Sequence, residues 1–311
     1  MTDTNLTVAF IGCGHMGGAI LEGLLDALVR NEHGASGADA LFSKFVACTR
    51  TATSAAKLEK TLQSEHPHSA ARVQVVHGQT VRYMADADVV VLGFKPFMAA
   101  DVLRAPGVRQ ALEGKLTISL LAGLSARDVY TLIASDADDG RGEAGAEPAS
   151  GPYVSKTVPN VAARYGQSMT ILERTDDDAT LLPPAQARLV EALFQPLGWV
   201  QWVPTGTLNT ASMLMTAAMA ALSVPLEGLL DGAVAEGLRR PEAMDRAVHS
   251  LQGLVAMLAH GTHPAVMRES ISSPRGCIIQ TLLTVEKAGT RAVFAQSLID
   301  GVRHLEKTAK K

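Results

Sequence analysis

Short apolar runs alternate with amphipathic stretches along the first two thirds of the chain. The run Val8–Ile11 is followed by glycines and then by apolar residues at Ile20, Leu21, Leu24 and Leu25, a spacing that predicts strand, turn and helix. Further runs that predict strands lie at Phe45–Cys48, Val73–Val76, Val89–Leu92, Leu116–Leu120, Val154–Val158, Met169–Leu172 and Val200–Val203. Strands that alternate with helices predict a doubly wound parallel sheet of the α/β class, with helices on both faces.

The pattern changes near Leu208, where the strand signals stop. Long helical patterns follow at Asn209–Gly237, Pro241–His260, Gly276–Ala288 and Thr290–Lys307. Their apolar faces are wide and rich in Ala, Leu and Met, which predicts burial against a second copy of the chain. We therefore expect two domains, a nucleotide-binding domain at residues 1–204 and an all-helical domain at residues 205–311. The second should form a homodimer, or a higher assembly built from it.

Composition narrows the class of protein. The 311 residues are 47% hydrophobic and 19% charged, which is typical of a globular protein. The net charge of −3 gives no electrostatic basis for binding nucleic acid or an anionic membrane. The apolar stretch Leu208–Leu230 is interrupted by Asn209, Pro225 and Glu227, so it predicts a buried helix rather than a membrane span.

The cysteines and the first residues favour a cytoplasmic protein. Cys13, Cys48 and Cys277 are odd in number and far apart, which indicates a reducing compartment and gives no spacing for a metal site. The start of the chain carries neither a basic region nor an apolar targeting core.

The first chemical motif is Gly12-x-Gly14-x-x-Gly17, between the first predicted strand and helix. Gly12 permits the turn, Gly14 lets the backbone approach a diphosphate, and Gly17 lets the helix pack on the strand. His15 and Met16 lie inside this loop, where free N–H groups and the helix dipole favour an anion. The motif predicts a dinucleotide site.

The end of the second strand indicates which dinucleotide is bound. An NAD enzyme usually places a carboxylate there for the ribose 2′-hydroxyl. This chain has Thr49, Arg50 and Thr51 instead. Hydroxyls beside a guanidinium suit a 2′-phosphate, so NADP(H) is predicted in preference to NAD(H).

Five motifs in order resemble the pyrroline-5-carboxylate reductase family. They are Phe10–Ile20, Leu92–Pro96, Ile118–Gly123, Val158–Asn160 and Ser272–Gly276, and they extend over nearly the whole chain. The resemblance implies an N-terminal Rossmann-type domain followed by an all-α dimerisation domain. It also implies hydride transfer from NAD(P)H to the C=N bond of a cyclic imine, as in the formation of proline.

The resemblance assigns roles to individual residues. Lys95 and Pro96 would border the nicotinamide ribose, Ala122 and Gly123 would line the cofactor, and Asn160 would lie near the nicotinamide. Ser212 stands where the family usually has a Thr close to the imine nitrogen. The loop that receives the substrate carboxylate would include Ser273, Arg275, Gly276 and Cys277. A Ser-Pro-x-Gly turn before an apolar helix also suits an anion on physical grounds, since it exposes unpaired N–H groups.

The chain departs from the family in the helical half. Arg275 replaces the first glycine of Ser-Pro-Gly-Gly-Thr-Thr, and Cys277 and Ile278 replace both threonines. A glycine-rich family segment falls on Met215–Ala221, and Asn-Thr-Pro becomes Asn160-Val161-Ala162. Each lost hydroxyl removes a hydrogen bond worth roughly 1.5–3 kcal/mol to a charged partner. We therefore expect a preference for an imine that differs from pyrroline-5-carboxylate or extends beyond it.

Two other readings stay open. A carbonyl reductase related to the 3-hydroxyacid dehydrogenases would place a Lys in a cleft helix, and Asn209–Gly237 contains none. An NADPH-binding regulatory or scaffold protein without catalysis is favoured slightly by the altered motifs of the helical half. It would bind NADPH without oxidising it against any cyclic imine.

Overall fold

The computed structural model describes residues 5–32, 41–134, 151–176 and 180–309. Eight strands form a single sheet: β1 Leu6–Ile11, β2 Phe42–Thr49, β3 Val73–His77, β4 Val89–Leu92, β5 Leu116–Ser119, β6 Tyr153–Val158, β7 Ser168–Arg174 and β8 Gly198–Pro204. Their spatial order is β3-β2-β1-β4-β5-β6-β7-β8. Each strand coincides with one of the apolar runs in the sequence.

One pair of strands departs from the predicted parallel arrangement. β6 runs parallel to β5, but β7 returns antiparallel to β6, with Thr157 opposite Leu172 and Val158 opposite Ile171. The short connection between these strands holds only a 3-10 turn at Val161–Tyr165. A parallel crossover needs a dozen or more residues, so this connection allows only an antiparallel return. β8 is again parallel to β7.

The helices of the described residues are α1 His15–Glu32, α2 Ala52–Glu65, α3 Thr80–Asp86, α4 Ala99–Leu103, α5 Val108–Leu112, α6 Ala126–Ala134, α7 Pro184–Phe194, α8 Thr205–Ala235, α9 Arg240–Ala259, α10 Pro264–Ser270, α11 Cys277–Lys287 and α12 Thr290–Ala309. The four long helices predicted after residue 205 correspond to α8, α9, α11 and α12. The sequence analysis missed α10. The stretch 136–150, predicted as a surface insertion, lies outside the described residues.

Both faces of the sheet are covered. On one face Phe10, Leu25 and Phe194 belong to a buried cluster that joins β1, α1 and α7. On the other face Leu92 and Val129 belong to a second cluster that joins β4 and α6. The residues of β4 and β5 are all buried, as expected for central strands of a doubly wound sheet.

The chain divides into two compact units. The first contains the sheet, runs to Ser212 and includes the chain from Leu305 onward, and the second extends from Met213 to His304. The predicted boundary at 204/205 coincides with the junction of β8 and α8, whereas the units divide within α8. Leu208 and Ser212 are buried, which explains why the first turns of this helix belong with the sheet.

Candidate functional site

The carboxyl ends of β1, β2, β4 and β5 lie at the same edge of the sheet. The chain leaves β1 toward β2 on one side and later returns to β4 on the other, so the strand order reverses beside β1. Nucleotides bind in the crevice outside such a switch point in open α/β sheets. The predicted cofactor residues follow these strand ends, so the topology brings them to one edge.

The turn after β1 depends on close backbone contacts. Gly12 has a φ of +87°, and a Cβ at this position would lie 2.6 Å from the backbone N of Phe94. The N–H groups of Gly12 and Cys13 both donate to the carbonyl of Cys48, at 3.0 and 2.8 Å. These contacts fasten the loop to the ends of β2 and β4.

The second glycine of the motif has a different environment. A Cβ on Gly14 would meet no atom within 4 Å, and His15, the first residue of α1, is exposed. Met16 and Gly17 continue the first turn of α1, whose backbone N–H groups have no carbonyl partner within the helix. Open space before a helix N-terminus fits a dinucleotide diphosphate.

The start of α2 carries the residues predicted to select the 2′-phosphate. Arg50 is exposed, and the hydroxyl of Thr51 caps α2 by accepting from the N–H of Ser54 at 3.2 Å. Thr49 is buried instead, and its hydroxyl lies 3.1 Å from the carbonyl of Thr51 and 3.3 Å from that of Val76. The hydroxyl of Thr49 therefore stabilises the turn, whereas Arg50 and Thr51 are exposed.

The remaining predicted cofactor residues lie after β4 and β5. Lys95 is exposed and precedes a 3-10 turn that starts at Pro96. Ala122 is exposed, and Gly123 has a φ of +77°, which lets the chain turn between β5 and α6. These residues line the same edge of the sheet as the glycine loop.

Asn160 has a clear structural role. It is buried, and its Oδ1 accepts from the N–H of Ala162 at 3.0 Å, which starts the 3-10 turn after β6. Its own N–H donates to the hydroxyl of Ser168 at 3.2 Å. These bonds explain why an asparagine follows β6. A contact of Asn160 with the nicotinamide stays a prediction.

The sequence analysis missed a buried lysine and a buried glutamate behind the Ala122–Gly123 turn. Lys156 on β6 and Glu173 on β7 are each 5% exposed. Burial lowers the pKa of Lys156 to about 8, although the charges of Glu173 and Asp128 oppose this shift. A charged residue within a run that predicts a strand of the sheet was the available signal, since such residues are rarely buried without a partner.

The thiols near the glycine loop are protonated at neutral pH. Burial is the main cause that raises the pKa values of Cys13 and Cys48 to about 12. Neither thiol is therefore suited to act as a nucleophile or a metal ligand.

The first turns of α8 carry the predicted catalytic residue. Ser212 is 7% exposed and lies two turns into this helix. Ser212 belongs to the sheet-containing unit, and the second unit starts at the next residue. A role at the imine nitrogen stays a prediction.

The predicted carboxylate loop is a tight turn before α11. The N–H of Gly276 donates to the carbonyl of Ser273 at 2.9 Å, and Pro274 and Arg275 fill the corners. Arg275 has a φ of +61°, which costs a residue other than glycine about 1–2 kcal/mol. A Cβ on Gly276 would lie 2.4 Å from the hydroxyl of Ser273 and 3.0 Å from its carbonyl oxygen, so a larger residue here would require the Ser273 side chain to move. Cys277 is the exposed first residue of α11.

The helical unit exposes large apolar side chains. They lie mainly on α8 and α9, with fewer on α11 and α12, and include Leu222, Val224, Val255, Leu283 and Val293. By length and composition α8 could also cross a membrane, with a mean hydropathy of 1.6 over its most apolar window and 11% of that window buried. A surface of this kind on an otherwise globular chain is typical of contact between subunits.

Two family models match the chain. Residues 7–123 match the model of an NADP oxidoreductase, coenzyme F420-dependent. Residues 206–308, which include α8, match the model of pyrroline-5-carboxylate reductase dimerisation. The helices with exposed apolar residues therefore coincide with a dimerisation segment.

Curated relatives match almost the full length. A pyrroline-5-carboxylate reductase of Lophium arboricola is 33% identical over 305 residues, 95% of this chain and 91% of the relative. Another, of Neurospora crassa, is 31% identical over 312 residues, 96% of this chain and 91% of the relative.

Solved structures confirm the predicted fold class. Plasmodium falciparum pyrroline carboxylate reductase with NADP bound has a TM-score of 0.77 and 17% identity, over 98% of this chain and 99% of that one. The enzyme of Streptococcus pyogenes has a TM-score of 0.73 and 19% identity, over 98% and 100%. With relatives above 30% identity over at least 95% of its length, the chain belongs to the pyrroline-5-carboxylate reductase family of oxidoreductases.

Proposed function

We propose that this protein reduces the C=N bond of pyrroline-5-carboxylate to give proline, using NADPH. The observation that carries the proposal is the similarity to pyrroline-5-carboxylate reductases along the whole chain, which includes both the glycine loop and the loop before α11. A fold alone would not support a reaction, because one fold hosts many activities. No feature of the described residues favours a non-catalytic NADPH-binding protein.

The cofactor supplies the hydride. The protein binds the cofactor and the substrate, orients them and excludes water. Gly12, Gly14 and Gly17 would let the diphosphate approach the start of α1, beside His15 and Met16. Lys95 and Pro96 would border the nicotinamide ribose, and Ala122, Gly123 and Asn160 would hold the nicotinamide end. The open space beside Gly14 supports this assignment.

Arg50 would set the preference for NADPH over NADH. It is exposed at the start of α2, where the helix dipole adds to its charge in favouring a phosphate dianion. Thr51 and Ser54 offer hydroxyls at the same turn. No carboxylate follows β2 in the sequence to accept from a ribose 2′-hydroxyl.

Ser212 would contact the imine nitrogen. Hydride transfer is easiest to a protonated imine, because its carbon is then electron-poor. A buried hydroxyl can form a hydrogen bond with the nitrogen and hold it in place while the C=N double bond becomes a single bond. The burial of Ser212 within a helix supports a fixed position for this group.

The turn Ser273–Gly276 and Cys277 would receive the substrate carboxylate. The first N–H groups of α11 are free of helical partners, and Arg275 adds a positive charge that the usual glycine lacks. The strained backbone of Arg275 is consistent with a residue retained for a function rather than for stability.

The assembly and the compartment are parts of the same proposal. The apolar surface of α8, α9, α11 and α12 would be covered by a second copy, so that residues 205–311 serve dimerisation and substrate binding. Residues 1–204 would bind NADP(H). A cytoplasmic protein fits the buried thiols, which need no oxidising compartment.

The test is NADPH oxidation, followed by absorbance, across a panel of cyclic imines. The panel contains pyrroline-5-carboxylate, unsubstituted pyrroline, and the six-membered carboxylated and unsubstituted imines. Reduction of pyrroline-5-carboxylate supports the proposal. Faster reduction of another imine would support the altered preference expected from Arg275 and Cys277. Binding of NADPH without oxidation against every imine would contradict both.

A further inference from the structure

The turn that joins β5 to α6 is held from behind by two buried charged side chains. Lys156 lies beside Ser119 in the parallel register of β5 and β6. Its ammonium group donates to the carbonyl of Leu121, two residues beyond the end of β5. A buried lysine within a strand is costly, so its retention requires a gain elsewhere.

Glu173 holds the other end of the same turn. Its carboxylate accepts from the N–H of Ala126, the first residue of α6, at 3.3 Å. The antiparallel register of β6 and β7 makes Glu173 the cross-strand neighbour of Lys156. Both side chains also line one cavity of about 320 Å³, together with Ala126 and Trp202. The two charges therefore stand side by side behind the turn.

A capping box at the start of α6 also holds this turn. The hydroxyl of Ser125 accepts from the N–H of Asp128 at 3.1 Å, and the Asp128 carboxylate accepts from the N–H of Ser125 at 2.8 Å. Leu121 and Ala126 are thus fixed by side chains from neighbouring strands, and Ser125 is fixed from within α6. Ala122 and Gly123 lie between these fixed points.

We propose that Lys156 and Glu173 are a positioning pair that fixes the Ala122–Gly123 turn in the conformation that receives the cofactor. The inference rests on the proposed function in one respect, the contact of this turn with NADPH. The pair acts through the turn and touches neither cofactor nor substrate.

The pair makes cofactor binding sensitive to pH. The charged groups that act on the ammonium are Glu173 and Asp128, which favour its protonated form; Arg174 lines the same cavity. β5 and the turn itself carry no titratable side chain. The pKa of Lys156 is lowered to about 8, so the charge-assisted bond to Leu121 weakens above that pH.

The chain offers a matched control at the opposite end of β5. Lys115, just before this strand, also donates from its ammonium group to backbone carbonyls, those of Met84 at 3.0 Å and Ala85. It performs the same kind of bond at the amino end of the sheet, away from the cofactor edge. Lys115→Met therefore removes a comparable bond without touching the Ala122–Gly123 turn.

The experiment compares wild type, Lys156→Met, Lys156→Arg, Glu173→Gln and Lys115→Met. NADPH affinity is measured by fluorescence titration from pH 7 to 9.5, and hydrogen exchange is measured on the cofactor-free protein for the peptide that spans β5 and the turn. Lys156→Met should weaken NADPH binding about tenfold and speed exchange in the turn. Glu173→Gln should have a smaller effect in the same direction, because its amide oxygen still accepts.

The pH profile separates positioning from plain stability. Wild-type affinity for NADPH should fall above pH 8, whereas Lys156→Arg, which stays charged, should keep its affinity throughout this range. Lys115→Met should lower stability and leave the affinity for NADPH unchanged. The inference is overturned if Lys156→Met binds NADPH like wild type, or if Lys156→Arg keeps the pH dependence.

The outcomes also separate this inference from the proposed function. If no cyclic imine is reduced but affinity and exchange respond as stated, the reaction is wrong and the positioning pair stands. If imines are reduced and exchange in the cofactor-free turn ignores Lys156, the pair is wrong and the reaction stands. Should Lys156→Met fail to fold, Lys156→Arg and the wild-type pH profile decide the question.

Discussion

Gly12 and Phe94 approach so closely that a Cβ on Gly12 would lie 2.6 Å from the backbone N of Phe94. This contact joins the glycine loop after β1 to the chain after β4, across the crevice where a dinucleotide would lie. Two residues further on, Gly14 has no atom within 4 Å of the same ideal Cβ. The two glycines therefore serve different purposes, and an alanine substitution at each position distinguishes the two purposes.

Gly12→Ala should destabilise the fold, and Gly14→Ala should not. At Gly12 the side chain would meet backbone and adopt a φ of +87°, so the free energy of unfolding should fall by at least about 2 kcal/mol. At Gly14 the methyl group would occupy only the space assigned to the diphosphate. Denaturant unfolding and NADPH titration check this: Gly14→Ala should unfold like wild type and bind NADPH at least about tenfold more weakly. If Gly14→Ala binds NADPH as tightly as wild type, the diphosphate does not bind at this loop.

Arg50→Ala should reduce the preference for NADPH. Loss of a charge-assisted bond to the 2′-phosphate should lower kcat/KM for NADPH about 10- to 100-fold, with kcat/KM for NADH nearly unchanged. Lys60→Ala is the control, since Lys60 is an exposed cation on the same helix, farther along α2. Steady-state kinetics with both cofactors measure the ratio. A ratio that Arg50→Ala leaves at the wild-type value would assign the preference to other residues.

Ser212→Ala should slow turnover without affecting the cofactor. Removal of the hydroxyl proposed to hold the imine nitrogen should lower kcat about tenfold, while the dissociation constant for NADPH stays the same. Ser223→Ala is a matched control on α8, because the hydroxyl of Ser223 is exposed and donates to the carbonyl of Ala220 at 2.7 Å. Single-turnover measurements with saturating NADPH check the prediction. Unchanged turnover in Ser212→Ala would remove it from the catalytic step.

Arg275→Gly and Arg275→Ala separate strain from charge. Glycine adopts a φ of +61° without strain, so Arg275→Gly should raise the free energy of unfolding by about 1 kcal/mol, whereas Arg275→Ala keeps the strain. Both variants remove the guanidinium. Both should therefore raise KM for carboxylated imines about tenfold relative to unsubstituted imines. If neither variant alters this ratio, Arg275 points away from the substrate.

Stability should depend on Lys156 in the alkaline range. Its pKa is about 8 in the folded protein and 10.5 when unfolded, so the folded state releases its proton first as the pH rises. Below pH 8 both states are protonated and the buried charge costs on the order of 3 kcal/mol. Between pH 8 and 10.5 this cost diminishes, so the stability of wild type relative to Lys156→Met should increase. Denaturant unfolding at several pH values measures the difference, and a flat difference contradicts it.

The sheet could be predicted from the sequence because each strand is a short apolar run between turns. Val89–Leu92 is buried on both faces, and such a short apolar run fits few structures other than a central strand. The antiparallel return of β7 could be predicted less well, because it depends on the length of the connection after Asn160. The helix α10 was missed because Pro264–Ser270 is short and too polar to show a helical period.

The candidate site divides in the same way. The glycine loop and Arg50 are local motifs, and they directly follow β1 and β2. Lys156 and Glu173 are distant in sequence from the turn that they hold, and only the register of β5, β6 and β7 brings them to it. The hydroxyl of Thr49 was assigned to the cofactor, yet it contacts backbone carbonyls, because burial of a strand end directs its side chain inward.

Covering the exposed apolar side chains of α8, α9, α11 and α12 with a second copy would couple the stability of the helical half to the protein concentration. A protein stabilised by association melts at a higher temperature as its concentration rises and at a lower temperature on dilution. For such an oligomer, a melting temperature has a meaning only when the protein concentration is given with it.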